Sequence, residues 1–133
     1  MAEQRLVLER PLGQVIVHLP VLEAIAARAM EKVEGVRPLL RGGGLRNIFA
    51  GPEEGLLITL GEEQVDVELR IAVVLGYPVH EVAQGVQQAV REDLEGLAGI
   101  KVNRVDVFVK QVIPPQEALV VEEENEEGGE NDG

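Results

Sequence analysis

Two strands and the helix between them can be recognised in residues 64–111, and this unit constrains the fold more than any other part of the sequence. Apolar and mostly polar residues alternate along residues 64–75, which is the period of a half-buried strand. A Gly-Tyr-Pro turn at 76–78 interrupts this pattern. Apolar residues then recur at helical spacing, and residues 105–110 alternate again. The pattern predicts a β-α-β unit whose helix runs from about Pro78 to Leu97.

The upstream half of the chain predicts a strand at Gln14–His18 and an amphipathic helix from Pro20 to Val33. Proline suits a first helical position, and Gly35 is a candidate C-terminal cap. Residues 36–41 predict an edge strand, because the proline within them excludes a central position.

Residues 56–60 form the next predicted strand, since Leu56, Ile58 and Leu60 alternate with other residues. A Gly-Glu-Glu turn at 61–63 then joins them to the long strand as in a hairpin.

Two local irregularities carry predictions of their own. Gly85 lies at the border of the apolar stripe of the second helix, where alanine would be favoured by about 1 kcal/mol. A close approach by the Ala-rich first helix would explain it. In the last strand, Ile100 and Val102 share one face, whereas Val105 and the alternate residues after it fall on the other. A bulge near residues 103–104 would restore a single apolar face.

The element order β-α-β-β-β-α-β predicts an α+β fold. We expect a two-layer sandwich in which a mixed sheet of about four to five strands carries two helices on one face. The predicted organisation is an N-terminal extension at 1–12, a single domain at 13–113 and an acidic tail at 114–133. The tail holds eight of the 24 acidic residues and none of the 12 basic ones, so we expect it to be disordered and solvating. A docking segment for a basic partner is the alternative.

There is no cysteine for disulfides or thiolate metal sites, which fits a cytoplasmic protein, although oxidising compartments also hold cysteine-free proteins. The longest uncharged apolar run, residues 71–79, is far shorter than the ~20 residues of a spanning helix. Membrane association is therefore expected to be peripheral or through a partner.

The sheet face turned away from the helices is predicted to meet solvent or a partner. Val74 and Phe108 fall on it, with Arg70 and Lys110 nearby, and they form a candidate self-association surface. An ordinary solvated sheet face is the alternative.

Arg37, Arg41 and Arg46 surround a triple glycine at 42–44 and form the only locally basic segment. Backbone N–H groups of such a loop can bind anions, so a contact to an anion or an acidic partner is one interpretation. A flexible connector is the other. A Walker loop would need Lys and Ser or Thr after the glycines, and neither is present.

Catalytic chemistry finds little support in the sequence. His80 begins a motif resembling the zinc-protease helix, but Gln84 replaces its second histidine. Serine is absent and Thr59 is the only threonine, which nearly excludes a hydroxyl nucleophile. Nucleic-acid binding is disfavoured because the chain is acidic and Phe108 is the only aromatic residue predicted on the sheet. We assign no catalytic, cofactor-binding or metal-binding residues.

Three blocks together resemble one known family. They are GQVIV at 13–17 leading into IAARA at 25–29, VDVELRIAV at 65–73 followed by LGYPV at 75–79, and LAGIKV at 97–102 followed by VDVFV at 105–109. In this order and spacing the chain resembles the alkaline shock and general stress proteins of the bacterial envelope stress response. Residues 37–54 and the Leu-Pro start of the first helix depart from that pattern.

The resemblance implies a small, cytoplasmic protein without enzymatic activity or cofactors. The founding type of the family assembles with itself and is held at the membrane by a small membrane-anchored partner. We therefore expect a homo-oligomeric envelope-stress scaffold or adaptor. The alternatives are a small regulatory protein that binds an acidic ligand or a lipid-synthesis enzyme, since another branch is genetically linked to acetyl-CoA carboxylase, and a weak RNA-binding domain.

Overall fold

A computed structural model describes residues 4–39 and 55–115 of the chain. These residues form six strands and two helices, all in one α+β arrangement. The elements are β1 (Arg5–Arg10), β2 (Gly13–His18), α1 (Leu19–Glu31), β3 (Val36–Arg37), β4 (Leu56–Leu60), β5 (Gln64–Val74), α2 (Val79–Ala98) and β6 (Lys101–Ile113).

β5 is the centre of the main sheet. Along one side it pairs in parallel with β6 over its whole length. On its other side it pairs antiparallel with two shorter strands, β4 opposite residues 65–69 and β3 opposite residues 72–73. The result is a mixed four-stranded sheet. The predicted α+β class and mixed sheet are confirmed, and the edge strand predicted at 36–41 is limited to Val36–Arg37 in the described residues.

The hydrophobic core lies between this sheet and the two helices. Alternate residues of β5, from Val65 to Val73, are almost completely buried, as the two-residue period predicts. They face apolar stripes of the helices, including Leu22 of α1 and Val86 of α2. Burial of one such side chain stabilises the fold by about 1.5–3 kcal/mol. Both helices therefore cover the same face of the sheet, as predicted for a two-layer sandwich.

Two bulges in β6 set the direction of its side chains. Val65 pairs with Val102 and Asp66 with Arg104, so Asn103 is the inserted residue. This is the bulge that the change of alternation predicted. A second shift leaves Lys110 unpaired in the register between Val109 and Gln111, and the sequence pattern gives no sign of it.

A strand lies within residues 1–12, which the sequence analysis predicted as an N-terminal extension. β1 pairs with β2 as an antiparallel hairpin, with Leu6 opposite Val17 and Leu8 opposite Val15. Leu6 and Leu8 are 2% and 3% exposed and belong to the main core. The folded unit thus begins before residue 13.

The end of α1 also differs from the prediction. The helix ends at Glu31 with Lys32 as its cap, so Gly35 is not the cap residue. Gly35 has a φ of +91°, and a Cβ there would lie 2.8 Å from Cγ of Tyr77. Its role is close packing on that ring in a conformation that favours glycine. Of the described helices, neither combines the length and apolar composition needed to cross a bilayer.

The two helices approach each other closely at Gly85. A Cβ at this position would lie 3.4 Å from Cγ1 of Val33, just after α1, and Lys32 Nζ lies 2.7 Å from Asp93 Oδ2. We expect Gly85→Leu to lower the free energy of unfolding by about 1–3 kcal/mol, because the side chain would overfill this contact.

Gly96→Leu is the matched control on the same helix, since no heavy atom lies within 4 Å of a Cβ there. It should be neutral or stabilise the protein by up to about 1 kcal/mol through helix propensity. Urea unfolding followed by circular dichroism measures both variants. Equal stability of Gly85→Leu and the wild type would exclude close packing as the reason for this glycine.

Candidate functional site

The side of the main sheet that the helices do not cover is called the outer face here. Because side chains alternate along a strand, it carries the residues between the core positions. Its members at the β4 end are Leu57, Thr59, Asp66, Glu68, Arg70, Arg104, Asp106 and Phe108.

Arg70 and Phe108 form the centre of the outer face. They are direct cross-strand partners, and the guanidinium carbon of Arg70 lies 5.5 Å from the ring centroid of Phe108. Arg70 Nη2 also donates to Glu68 Oε2 at 2.6 Å. A cation–π contact at an exposed site contributes about 0.5–1 kcal/mol, and here it holds the arginine over the ring. Phe108 is 45% exposed, so its other surface is available for contact.

Polar pairs surround this centre. Arg104 Nη2 lies 3.1 Å from Asp106 Oδ2, and Asn103 Nδ2 donates to Asp66 Oδ1 at 2.9 Å. An open depression of about 280 Å³ lies among these side chains and is bordered by the exposed Leu57. Four of the charged groups on this face are thus paired within the chain, as Glu68–Arg70 and Arg104–Asp106, which limits the cost of covering them with a partner.

The candidate self-association residues predicted from sequence separate into two groups. Arg70 and Phe108 stack on the exposed part of the outer face, and Lys110 is exposed at the second bulge. Val74 lies on the same face but is only 6% exposed. It packs with Ala72 and Ile113 against Leu39, so it stabilises the far end of the sheet and is not an exposed contact residue.

The predicted anion-contact segment is described only in part. Arg37 lies in β3 opposite Ala72, and its Nη1 donates to the carbonyl oxygen of Val36 at 2.9 Å. Arg41 and Arg46 lie outside the described residues. The predicted grouping of these three arginines therefore stays a prediction.

Among the described residues, the side of β6 opposite β5 pairs with no strand, and it borders a second polar feature. A cleft of about 600 Å³ runs between this edge and α2. Within it, Gln87 Nε2 donates to the carbonyl oxygen of Val105 at 2.9 Å, and Glu95 Oε2 accepts from the backbone N–H of Val102 at 3.1 Å. Two side chains of α2 thus satisfy backbone groups that point away from the sheet.

Metal-binding geometry is absent from the part of the chain that the structure describes, where no group of three or more His, Asp or Glu side chains could hold an ion. His80 and Glu81 lie on the exposed first turn of α2, with Nε2 and Oε2 4.0 Å apart.

Two residues of the outer face, Leu57 and Arg104, were not among those that the sequence analysis assigned to it. Leu57 was left unassigned, although the alternation of Leu56 and Ile58 already placed it on the opposite side of the strand. Arg104 had a similar signal, because it lies two residues before Asp106 and at the bulge predicted near residues 103–104. The pattern therefore located them, but it could not show which of them contact each other.

The comparisons with known proteins decide the family. The sequence profile of the alkaline shock protein family, which is described as having a "cell envelope-related function", matches residues 8–114. The chain belongs to this family. The resemblance to alkaline shock proteins that the sequence indicated is thereby confirmed, and the match begins inside β1.

A relative in Bacillus subtilis (strain 168), the uncharacterized protein YqhY, is 23% identical over 103 residues, which cover 74% of this chain and 76% of the relative. Among solved structures, a zinc form of MamM CTD matches with a TM-score of 0.45 and 16% identity, covering 70% of this chain and 85% of that one. A copper form matches with a TM-score of 0.46 and 17% identity over 71% and 98%.

Proposed function

We propose that this member of the alkaline shock protein family is a non-catalytic scaffold or adaptor that associates with itself through the outer face of its main sheet. The observation that carries the proposal is the half-exposed ring of Phe108 at the centre of a face that neither of the two described helices covers. The described function of the family is related to the cell envelope, and an assembly of this kind would serve that function by presenting repeated binding surfaces.

The chemistry of the outer face supports a protein partner. Aromatic residues and arginine are enriched in protein interfaces and dominate their binding energy. Arg70 and Phe108 provide both in one stacked pair, and the exposed Leu57 adds apolar area.

A second copy of the chain is the proposed occupant. The ion pairs Glu68–Arg70 and Arg104–Asp106 place opposite charges side by side on one face. A two-fold symmetric contact can therefore set positive groups of one copy against negative groups of the other.

The proposed route to the membrane is a protein partner. In this proposal the chain does not contact lipid itself, and the envelope-related function arises from the assembly to which it belongs. Flotation of the purified full chain with vesicles of neutral and anionic lipid tests this point. We expect the chain to stay with the soluble fraction, and flotation with either vesicle type would contradict the partner-mediated route.

Phe108→Asp is expected to weaken self-association by about thirtyfold or more, because a central aromatic residue typically contributes at least 2 kcal/mol to an interface. Light scattering after size exclusion, over a range of concentrations, measures the effect on the full chain. Leu97→Asp is the matched control, since Leu97 is an exposed apolar residue on α2. An assembly that is unchanged in Phe108→Asp would eliminate the outer face as the interface.

A further inference from the structure

We propose that the second copy pairs edge to edge with β6, antiparallel and around a two-fold axis at Phe108, so that the two sheets become one continuous sheet. This inference rests on the proposed self-association and gives it a side-by-side geometry, in which the two outer faces join into one surface and the two Phe108 rings lie next to each other. It goes beyond the outer face because it assigns backbone hydrogen bonds, a register and two intermolecular ion pairs.

In the described part of the chain, β6 is an edge strand of the main sheet. It pairs with β5 on one side, and its other side borders the cleft with α2. The cleft shows which backbone groups point outward, because Glu95 accepts from the N–H of Val102 and Gln87 donates to the carbonyl of Val105. These side chains protect the first part of the edge, as proteins commonly do with exposed edges.

The residues of β6 that follow this protected part have backbone groups available for pairing. Backbone groups of alternate strand residues point to the same side, so Val107 and Val109 direct theirs outward as Val105 does. Beyond the bulge at Lys110, the backbone groups of odd-numbered residues point inward, toward β5. The carbonyl of Ile113 shows this, because it accepts from the N–H of Leu75 at 2.7 Å. Residues 107–109 are therefore the segment of the edge that is shaped for strand addition.

The position of the two-fold axis determines which residues of the two β6 strands lie opposite each other. With the two-fold axis at Phe108, Val107 lies opposite Val109 of the second copy, and the two exchange both backbone hydrogen bonds. Phe108 lies opposite its own copy in a non-hydrogen-bonded pair, where side chains are closest. Asp106, which also pairs with Arg104 of its own chain, then lies opposite Lys110 of the second copy, and symmetry repeats this contact between opposite charges.

Neighbouring registers fit less well. With the axis at Val107, Arg104 would lie opposite Lys110 of the second copy, which places like charges together. That register would also require the carbonyl of Val105, which Gln87 already occupies. With the axis at Val109, Val107 would lie opposite Gln111 of the second copy. The backbone groups of that residue point inward, toward β5, because of the bulge at Lys110. Charge and backbone direction thus select the same axis.

A charge exchange tests the register. Asp106→Lys places two lysines opposite each other in a homodimer, and Lys110→Asp places two aspartates there. We expect either variant alone to raise the dissociation constant by about tenfold to thirtyfold, since both symmetric pairs change from attraction to repulsion. An equimolar mixture of the two should form heterodimers of near wild-type affinity, because each position then meets its opposite charge.

The measurements are analytical ultracentrifugation of each full-length variant and native mass spectrometry of the mixture. Lys101→Asp is the matched control, because it makes the same charge change on the protected part of β6. Single variants that assemble like the wild type would overturn the edge pairing, as would a mixture that stays dissociated. If Phe108→Asp dissociates the assembly while the charge variants do not, self-association through the outer face stays supported, and pairing of the β6 edges is excluded. A wild-type chain that stays monomeric would overturn both.

Discussion

Leu69→Ala is expected to lower the free energy of unfolding by about 3–4 kcal/mol. Leu69 is 0% exposed at the middle of β5, with Leu56 of β4 on one side and Val107 of β6 on the other. Removal of three carbon atoms there loses their transfer free energy and leaves a cavity between two strands and the helices, which have limited room to collapse.

Urea unfolding followed by circular dichroism measures this loss on the full chain. The matched control is Leu57→Ala, which makes the same change on the strand next to Leu69 but on the exposed outer face. It should leave the free energy of unfolding close to that of the wild type. Equal losses in the two variants would mean that β5 does not lie between the strands and helices as described.

β5 could be predicted from the sequence, because the alternation of its residues indicates which of them are buried. Every second residue from Val65 to Val73 is apolar, and a two-residue period has one interpretation when it extends this far. The bulge at Asn103 was predictable for the same reason, because one inserted residue was needed to keep Val102 and Val105 on the core side. Both predictions depend on local pattern alone.

Burial that arises from distant contacts could not be predicted in this way. Val74 and Arg70 lie on the same face of β5, because they are an even number of residues apart. Leu39 covers Val74, whereas Arg70 stays on the exposed part of the outer face. The second bulge, at Lys110, could not be recognised in the sequence. Val112 and Ile113 are consecutive apolar residues, so each face of the strand receives one of them whether or not a residue is inserted before them. The stacking of Arg70 on Phe108 likewise depends on the register between two strands, which is a tertiary property.

β1 shows the same limit most clearly. Its six residues contain only Leu6 and Leu8 as core positions, among charged neighbours, and a short two-stranded hairpin has little stability of its own. Contacts outside the hairpin hold it in place. Glu9 donates its backbone N–H to Glu63 Oε2 at 3.0 Å, and Arg10 Nη2 donates to the carbonyl of Gly99 at 3.2 Å.

The combined variant Leu6→Ala with Leu8→Ala is therefore expected to lower the free energy of unfolding by about 4–6 kcal/mol, a large part of the stability of a domain of this size. Both side chains are buried in the main core, so their loss leaves adjoining cavities beneath the hairpin. Thermal and urea unfolding of the full chain measure the effect.

Leu12→Ala provides the control, since Leu12 lies fully exposed at the tip of the same hairpin. It should unfold at the wild-type urea concentration. The comparison separates two descriptions of the N-terminus. If residues 1–12 are only an extension, the double variant and the control will behave alike. If β1 is part of the core, the double variant alone will lose stability, and a fragment that begins at residue 13 will lose at least as much, because it lacks the whole strand.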